Sequence, residues 1–134
     1  MILIVCIDDR GGLLFNNRRL SSDKAVVQDM FQYTQIDKIC IAPYSLPLFG
    51  SFEDRVTVSE QGFDNGMQCC FAEKCDFLSL LDAVDRLIVY KWNRCYPSDT
   101  KFPFDAFKQR LKLSCSYDFE GTSHSCITRE VYVR

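Results

Sequence analysis

The stretch that decides the fold is MILIVCIDDRGGLLFNNRRLSSDKAVVQDMFQYT, residues 1–34. It contains ILIVCI at residues 2–7, a continuous apolar run rich in β-branched residues, which is typical of a strand that is buried on both faces. Asp8-Asp9 ends this run, and RGG at residues 10–12 has the composition of a turn. The stretch therefore predicts a strand, an irregular loop and then a helix.

The helix is predicted to start at Ser21-Ser22-Asp23 and to run to about Tyr33, because serine and aspartate are favoured at helix starts. Val27 and Phe31 follow Asp23 at helical spacing, so Asp23 is expected on the side of the helix that packs on the sheet. Two roles stay open for its carboxylate. It is either a ligand anchor or a partner of the helix dipole.

Length and composition narrow the class of protein. A chain of 134 residues with 47% hydrophobic residues predicts one globular domain. The net charge of -2 argues against general nucleic-acid or membrane-surface binding. The apolar run at residues 2–7 is too short for a membrane span or a signal peptide. We therefore expect a cytoplasmic protein.

The eight cysteines show no C-x-x-C spacing. Most of them fall in apolar, strand-like runs, which favours reduced thiols that act as small core side chains. A metal site at Cys69, Cys70 and Cys75 is the alternative, but with His124 as the only histidine it lacks ligands. We predict no metal.

The rest of the chain alternates strands with short helical or loop segments. Strands are predicted at residues 38–42, 55–59, 67–72, 87–92, 111–119 and 126–134. A short helix is predicted at 76–83, a helical turn at most within 44–50, a polar loop at 61–66, a longer loop at 93–103 and a connection at 120–125. This order predicts an α/β fold in which a mixed sheet carries helices on its faces and ends in an antiparallel pair.

Four segments resemble the dihydrofolate reductase family: DRLIVY at 85–90, DTKFP at 99–103, SHS at 123–125 and EVYVR at 130–134. The opening strand, loop and helix fit the same pattern. The resemblance implies a single dihydrofolate reductase-like domain over residues 1–134, with a mainly parallel central sheet, flanking helices and an antiparallel C-terminal hairpin. It also implies that Asp23 lies at, or one residue from, the family's pterin-binding carboxylate, and that Tyr90 faces it.

Three segments depart from that family's pattern. A Gly-Gly pair that lets the backbone approach the cofactor is replaced by FAEK at 71–74. A G-R-x-[ST] segment that helps to hold the cofactor phosphates is replaced by APYS at 42–45. An L-P-W element that shapes the folate pocket is replaced by RRL at 18–20. These departures imply that the fold is kept while the NADPH site is lost, so no cofactor is expected.

A second likeness is to short, uncharacterised bacterial proteins that are often labelled ribonuclease Z. The chain shares with them YKWNR at 90–94, YP at 96–97 and a G-x-S-H-x-x-I-T block at 121–128. That enzyme class needs a His-x-His-x-Asp-His metal cluster, whereas this chain has only His124. Two-metal hydrolysis of that kind is therefore excluded.

The predicted ligand-binding residues lie in the first loop, at the helix start and at one strand end. They are Asn16, Asn17, Arg18, Arg19, Asp23, Tyr90, Lys91, Asn93 and Arg94. The arginine pair favours an anionic ligand such as a nucleotide, because arginine binds carboxylate and phosphate bidentately. No catalytic residue is predicted. His124 is interpreted as a residue that fixes its loop by hydrogen bonding, and Trp92 as a core or rim side chain.

Three functions compete. The first is a non-catalytic protein that binds a nucleotide-like or other small anionic ligand on a degenerate reductase fold. The second is a bacterial or phage interaction protein that sequesters a signalling nucleotide or blocks a protein partner. The third is an NADPH-dependent pterin reductase with an atypical cofactor site. The lost glycines favour the first two over the third.

Overall fold

A computed structural model of the protein describes residues 1–60 and 66–134, so most of the loop predicted at 61–66 lies outside the described residues. The strands are β1 Ile2–Ile7, β2 Gly12–Phe15, β3 Arg18–Arg19, β4 Ile39–Ile41, β5 Val56–Val58, β6 Cys69–Phe71, β7 Arg86–Lys91, β8 Thr100–Lys101, β9 Lys112–Phe119 and β10 Ile127–Val133. The helices are α1 Lys24–Thr34, α2 Leu46–Phe49 and α3 Phe104–Lys108. Short 3-10 turns cover Pro43–Ser45, Gly50–Arg55 and Phe77–Leu80.

In the described residues the central sheet has seven strands in the order β5-β4-β6-β1-β7-β10-β9. β1 lies in the middle and pairs in parallel with β6 and β7, so that Leu3 lies opposite Cys70 on one side and Leu87 on the other. β4 pairs in parallel with β5 and β6, whereas β10 runs antiparallel between β7 and β9. The predicted mainly parallel sheet with an antiparallel C-terminal hairpin is confirmed.

Both faces of β1 are covered, which explains its continuous apolar sequence. Leu3, Val5 and Ile7 belong to the core on the side of α3. Ile4 belongs to the opposite core, where Val27 and other residues of α1 and α2 pack. Alternate residues of a strand point to opposite faces, so one apolar run builds both cores.

The helices of the second half differ from the prediction. The helix expected at 76–83 is a single 3-10 turn, Phe77–Leu80, whose two end residues are buried. α3 was not predicted. It follows Pro103, whose ring fixes the backbone at the helix start, and it buries Phe107. None of the helices in the described ranges is long and apolar enough to cross a membrane.

A second, smaller sheet has the order β3-β2-β8 and joins the first loop, which supplies β2 and β3, to Thr100–Lys101. Asn16 and Asn17 form the two-residue turn between β2 and β3, with φ values of 51° and 63°. Asparagine tolerates this left-handed backbone better than most residues, and two such positions define the tight hairpin turn. The hairpin brings Arg19 to the end of the central sheet.

The sheet buries three of the cysteines, namely Cys40, Cys69 and Cys70. Burial, together with the neighbouring Cys70 and Cys40, raises the pKa of Cys69 to about 12. Burial and the nearby Asp76 raise the pKa of Cys75 to about 12. Across residues 1–60 and 66–134, no three His, Cys, Asp or Glu side chains converge as metal ligands.

Candidate functional site

Asp23 is the N-cap of α1 and holds the C-terminal hairpin loop against the helix start. Its carboxylate accepts hydrogen bonds from the backbone of Ala25, Thr122 and Ser123, each at 2.9 Å. The Thr122 hydroxyl donates to it at 2.7 Å, and the Nδ1 atom of His124 lies 2.9 Å away. The side chain has no exposed surface. Asp23 therefore joins two segments that are about 100 residues apart.

The environment of Asp23 keeps it ionised. Burial raises the pKa of its carboxyl group, but the hydrogen bonds from Thr122, His124 and Ser123 outweigh this effect and hold the pKa well below its usual range. Of the two roles left open by the sequence, the structure supports the cap. The carboxylate oxygens are already occupied by the protein's own donors, so they are not free to anchor a ligand.

His124 stands between Asp23 and two hydroxyl groups. Its Nε2 atom lies 2.9 Å from Ser21 Oγ and 3.2 Å from the Tyr96 hydroxyl. The ring stacks on Trp92, with centroids 4.7 Å apart and an angle of 24°. His124 is buried, and these contacts link its loop to Ser21, Tyr96 and Trp92. They also align a serine, a histidine and an aspartate, which no sequence spacing revealed.

Arg19 and Glu73 form a second polar cluster, at the ends of the parallel strands. Arg19 Nε lies 2.9 Å from Glu73 Oε2, and Arg19 Nη2 lies 3.1 Å from Oε1. Ser45 donates to the same carboxylate at 2.7 Å. The Tyr44 hydroxyl accepts the Arg19 backbone N–H at 2.9 Å, and its ring lies under the guanidinium group. The three segments that depart from the reductase pattern thus meet in one cluster.

This cluster changes the electrostatics of the groups beside it. Burial lowers the pKa of the Arg19 guanidinium group, but its hydrogen bonds to Glu73 outweigh this and raise it. Burial, and next the charge of Glu73, raise the pKa of Cys6 well above its usual value. Arg19 is therefore held in its charged form, and the Cys6 thiol is held in its unreactive protonated form.

A cavity of about 360 Å³ lies beside the start of α1. Its lining residues are Ser22, Asp23, Lys24, Val27, Pro47, Leu48, Phe49, Gly50, Ser51 and Phe52. Two phenylalanines and two aliphatic side chains give it apolar walls, and Lys24 supplies one cation. We call this cavity the α1 cleft. Of the predicted ligand residues, only Asp23 lines it.

Tyr90 does not face Asp23, contrary to what the resemblance implied. Its side chain is fully buried, and its hydroxyl donates to Asp29 of α1 at 2.7 Å. Burial, and next the charge of Asp29, raise the pKa of Tyr90 well above its usual value. Lys91, the next residue on β7, points to the opposite face and pairs with Glu130 at 3.1 Å. The two neighbours therefore cannot share one pocket.

The remaining predicted residues are spread over the surface. Arg18 and Arg94 are exposed, as are the turn residues Asn16 and Asn17. Asn93 donates to the Cys126 carbonyl and to the Thr128 hydroxyl, which ties the end of β7 to β10. Lys91 and Asn93 border a second cavity of about 750 Å³, which Lys101 and Lys108 also line. The nine residues predicted to bind ligand thus lie in several places.

Sequence reasoning missed Glu73, Ser45 and Ser21 as members of polar clusters. Glu73 and Ser45 lie in two of the segments that depart from the reductase pattern. Their shared departure from that pattern could have indicated that the two residues belong to one cluster. Ser21 had no signal beyond its place before the helix, because its partner His124 is 103 residues away.

Comparisons with known proteins bear on the fold. No protein-family model matches the sequence, and no curated protein matches it significantly. Among solved structures, the dihydrofolate reductase from Enterococcus faecalis complexed with NADP(H) and RAB-propyl is similar, with a TM-score of 0.65 and 12% sequence identity. The match covers 99% of this chain and 95% of that chain. At this identity the likeness shows the fold alone.

Proposed function

We propose that this chain, which has a dihydrofolate reductase-like fold, binds a small anionic molecule with a flat apolar body in the α1 cleft. The observation that carries the proposal is the cleft itself. Apolar walls that include Phe49 and Phe52 suit a planar ring, and Lys24 suits an acidic group. A nucleotide-like molecule has both features, which agrees with the ligand class favoured by the sequence.

We also propose that the protein does not use NADPH. In place of a Gly-Gly pair the chain has FAEK at residues 71–74, and the Glu73 carboxylate lies in a closed ion pair with Arg19. A cofactor pyrophosphate needs close backbone approach, which glycine permits, and a carboxylate repels it. The residues present do not fit this cofactor. We therefore propose that the protein binds its ligand and does not transfer a hydride.

Native mass spectrometry of the purified protein tests the proposal by revealing any small molecule that it retains. Leu48→Trp, which fills the cleft, should remove the retained mass, whereas Val58→Trp on an exposed strand should not. Lys24→Ala should weaken retention roughly tenfold or more, because it removes one charge-assisted contact. Lys38→Ala is the matched control. Equal retention by all four variants would place the ligand elsewhere.

A second candidate function is partner binding, and β9 favours it. This eight-residue strand is one of the two outer strands of the described sheet, and its Leu113 and Tyr117 side chains are 53% and 54% exposed. An exposed strand edge with apolar side chains is a template for pairing with another chain. A protein that co-purifies with the parent but not with Leu113→Lys would support this function.

A further inference from the structure

We propose that Ser21, His124 and Asp23 form a nucleophilic relay that hydrolyses small carboxylic esters. Ser21 Oγ lies 2.9 Å from His124 Nε2, and His124 Nδ1 lies 2.9 Å from Asp23 Oδ2. A nucleophile within hydrogen-bond reach of a base that is itself oriented by a carboxylate is the arrangement that activates a serine.

The hydrogen bonds fix the direction of proton flow. The ionised Asp23 carboxylate can only accept, so Nδ1 of His124 carries the ring hydrogen and Nε2 has the lone pair. Nε2 can then accept the proton of Ser21. His124 and Asp23 are buried, whereas Ser21 is partly exposed, which leaves the nucleophile within reach of a substrate.

The rest of the structure holds this geometry rigidly. The imidazole ring lies flat on the buried Trp92, and the Asp23 carboxylate is held by three backbone N–H groups. A glycine is required at position 121, beside the Asp23 carboxylate, because a Cβ atom there would come within 2.4 Å of Asp23 Oδ2. Preorganised groups of this kind need little rearrangement during a reaction.

Each step of the reaction balances. Ser21 Oγ attacks the ester carbonyl carbon, its proton passes to His124 Nε2, and the carbonyl π electrons move to the oxygen. The Tyr96 hydroxyl lies 3.2 Å from the same Nε2, and we assign it as the donor to that oxyanion. Collapse of the tetrahedral intermediate breaks the bond between the carbonyl carbon and the alkoxy oxygen. The leaving alcohol takes the proton from Nε2. Water then attacks the acyl-serine, gives its proton to Nε2 and releases the carboxylic acid, and Ser21 recovers the proton.

The size of the acyl group follows from the neighbouring cavity. The chain runs from Ser21 directly into Ser22, Asp23 and Lys24, which line the α1 cleft. A cavity of about 360 Å³ with apolar walls suits a short aliphatic or single-ring acyl group. This preference, unlike the relay itself, rests on the proposed function of the cleft.

Covalent labelling tests the relay independently of the cleft. A small alkyl fluorophosphonate should form a phosphorus–oxygen bond at Ser21 with loss of fluoride, and peptide mass spectrometry locates the adduct. Ser21→Ala should abolish labelling, whereas Ser116→Ala, on the exposed face of β9, should leave it unchanged. Labelling of the parent at residues other than Ser21, or no labelling at all, overturns the proposal.

Hydrolysis of p-nitrophenyl esters measures the activity. Ser21→Ala should lower the rate roughly 100-fold or more. Asp23 acts through His124 as a positioning residue, so Asp23→Asn should lower kcat while KM stays unchanged. A parent-like rate in Ser21→Ala overturns the relay. An unchanged chain-length preference in Leu48→Trp, with the Ser21 adduct retained, overturns only the role of the cleft.

Discussion

The Nδ1 atom of His124 lies 2.9 Å from the Oδ2 atom of Asp23, although 101 positions separate the two residues. Both side chains are buried, and together they join the start of α1 to the loop before β10. The contact therefore has two consequences. It ties the C-terminal hairpin to the rest of the fold, and it sets the position of the proposed base.

The first prediction concerns acid stability. Because the pKa of Asp23 in the folded protein lies below its unfolded value, its contribution to stability is fully present above about pH 5 and is lost as the pH falls. The free energy of unfolding, measured with urea, should therefore drop from about pH 5 downward. In Asp23→Asn it should be lower at pH 7, by about 3 kcal/mol, and should fall less steeply with pH than in the parent, because Asp8, whose pKa is also lowered, keeps part of the acid dependence. Asp54→Asn, an exposed control, should keep the parent pH dependence; an unchanged slope in Asp23→Asn would contradict the prediction.

The second prediction concerns Gly121. Adding a methyl group there brings Cβ within 2.4 Å of Asp23 Oδ2 and 2.8 Å of Ile127 Cδ1. Gly121→Ala should lower the free energy of unfolding by about 1–3 kcal/mol, because a well-packed site must shift to admit it. Thr122→Val, which removes only one hydroxyl bond to Asp23, should cost about 1 kcal/mol. Chemical denaturation measures both, and a smaller loss in Gly121→Ala than in Thr122→Val would count against the close packing of the loop around Gly121.

The third prediction concerns the ion pair of Arg19 and Glu73. Glu73→Gln removes the charge from a largely buried acceptor of Arg19 and Ser45, and should cost about 1.5–3 kcal/mol of stability. In a double-mutant cycle, Arg19→Met should lower the free energy of unfolding much less in the Glu73→Gln background than in the parent. Additive losses would show that the two side chains do not stabilise each other.

The fourth prediction concerns the cofactor. Titration with NADPH, followed by its fluorescence, should show no binding at micromolar concentrations, and dihydrofolate should not be reduced. The physical reason is the closed Arg19–Glu73 pair and the absence of glycine at residues 71–74. Micromolar binding of NADPH with measurable turnover would contradict this prediction and would support an NADPH-dependent pterin reductase.

The fifth prediction concerns the thiols. Cys95, Cys115 and Cys126 are exposed and should react rapidly with a disulfide reagent at pH 8. The other five should react slowly until the protein is denatured, and two of these, Cys69 and Cys75, have pKa values of about 12. Counting thiols before and after denaturation measures the difference. Eight equally fast thiols would contradict the burial of the sheet cysteines.

The sequence predicted the fold better than the site, for a physical reason. Buried strands such as ILIVCI and the helix after Asp23 follow from local apolar patterns, and the structure has them within one or two residues of the predicted bounds. Short elements such as α3 bury only one or two side chains, so their pattern is too brief to recognise.

The polar clusters follow from tertiary packing, which local patterns do not report. Arg19 and Glu73 are 54 positions apart, and Ser21 and His124 are 103 apart. Tyr90 and Lys91 show the opposite case, in which residues that are close in sequence are separated in the structure. They are adjacent in sequence and were both predicted to bind ligand, but neighbours on a strand face opposite ways.

The central place of β1 also governs how the chain is made. Both of its neighbours, β6 and β7, come later in the sequence, and β6 begins at Cys69. At roughly 5–20 residues per second, several seconds pass on the ribosome before ILIVCI can pair. During that time the nascent chain displays its most apolar segment, which is the kind of surface that chaperones bind. The strand that organises the finished sheet is thus the one that most needs protection during synthesis.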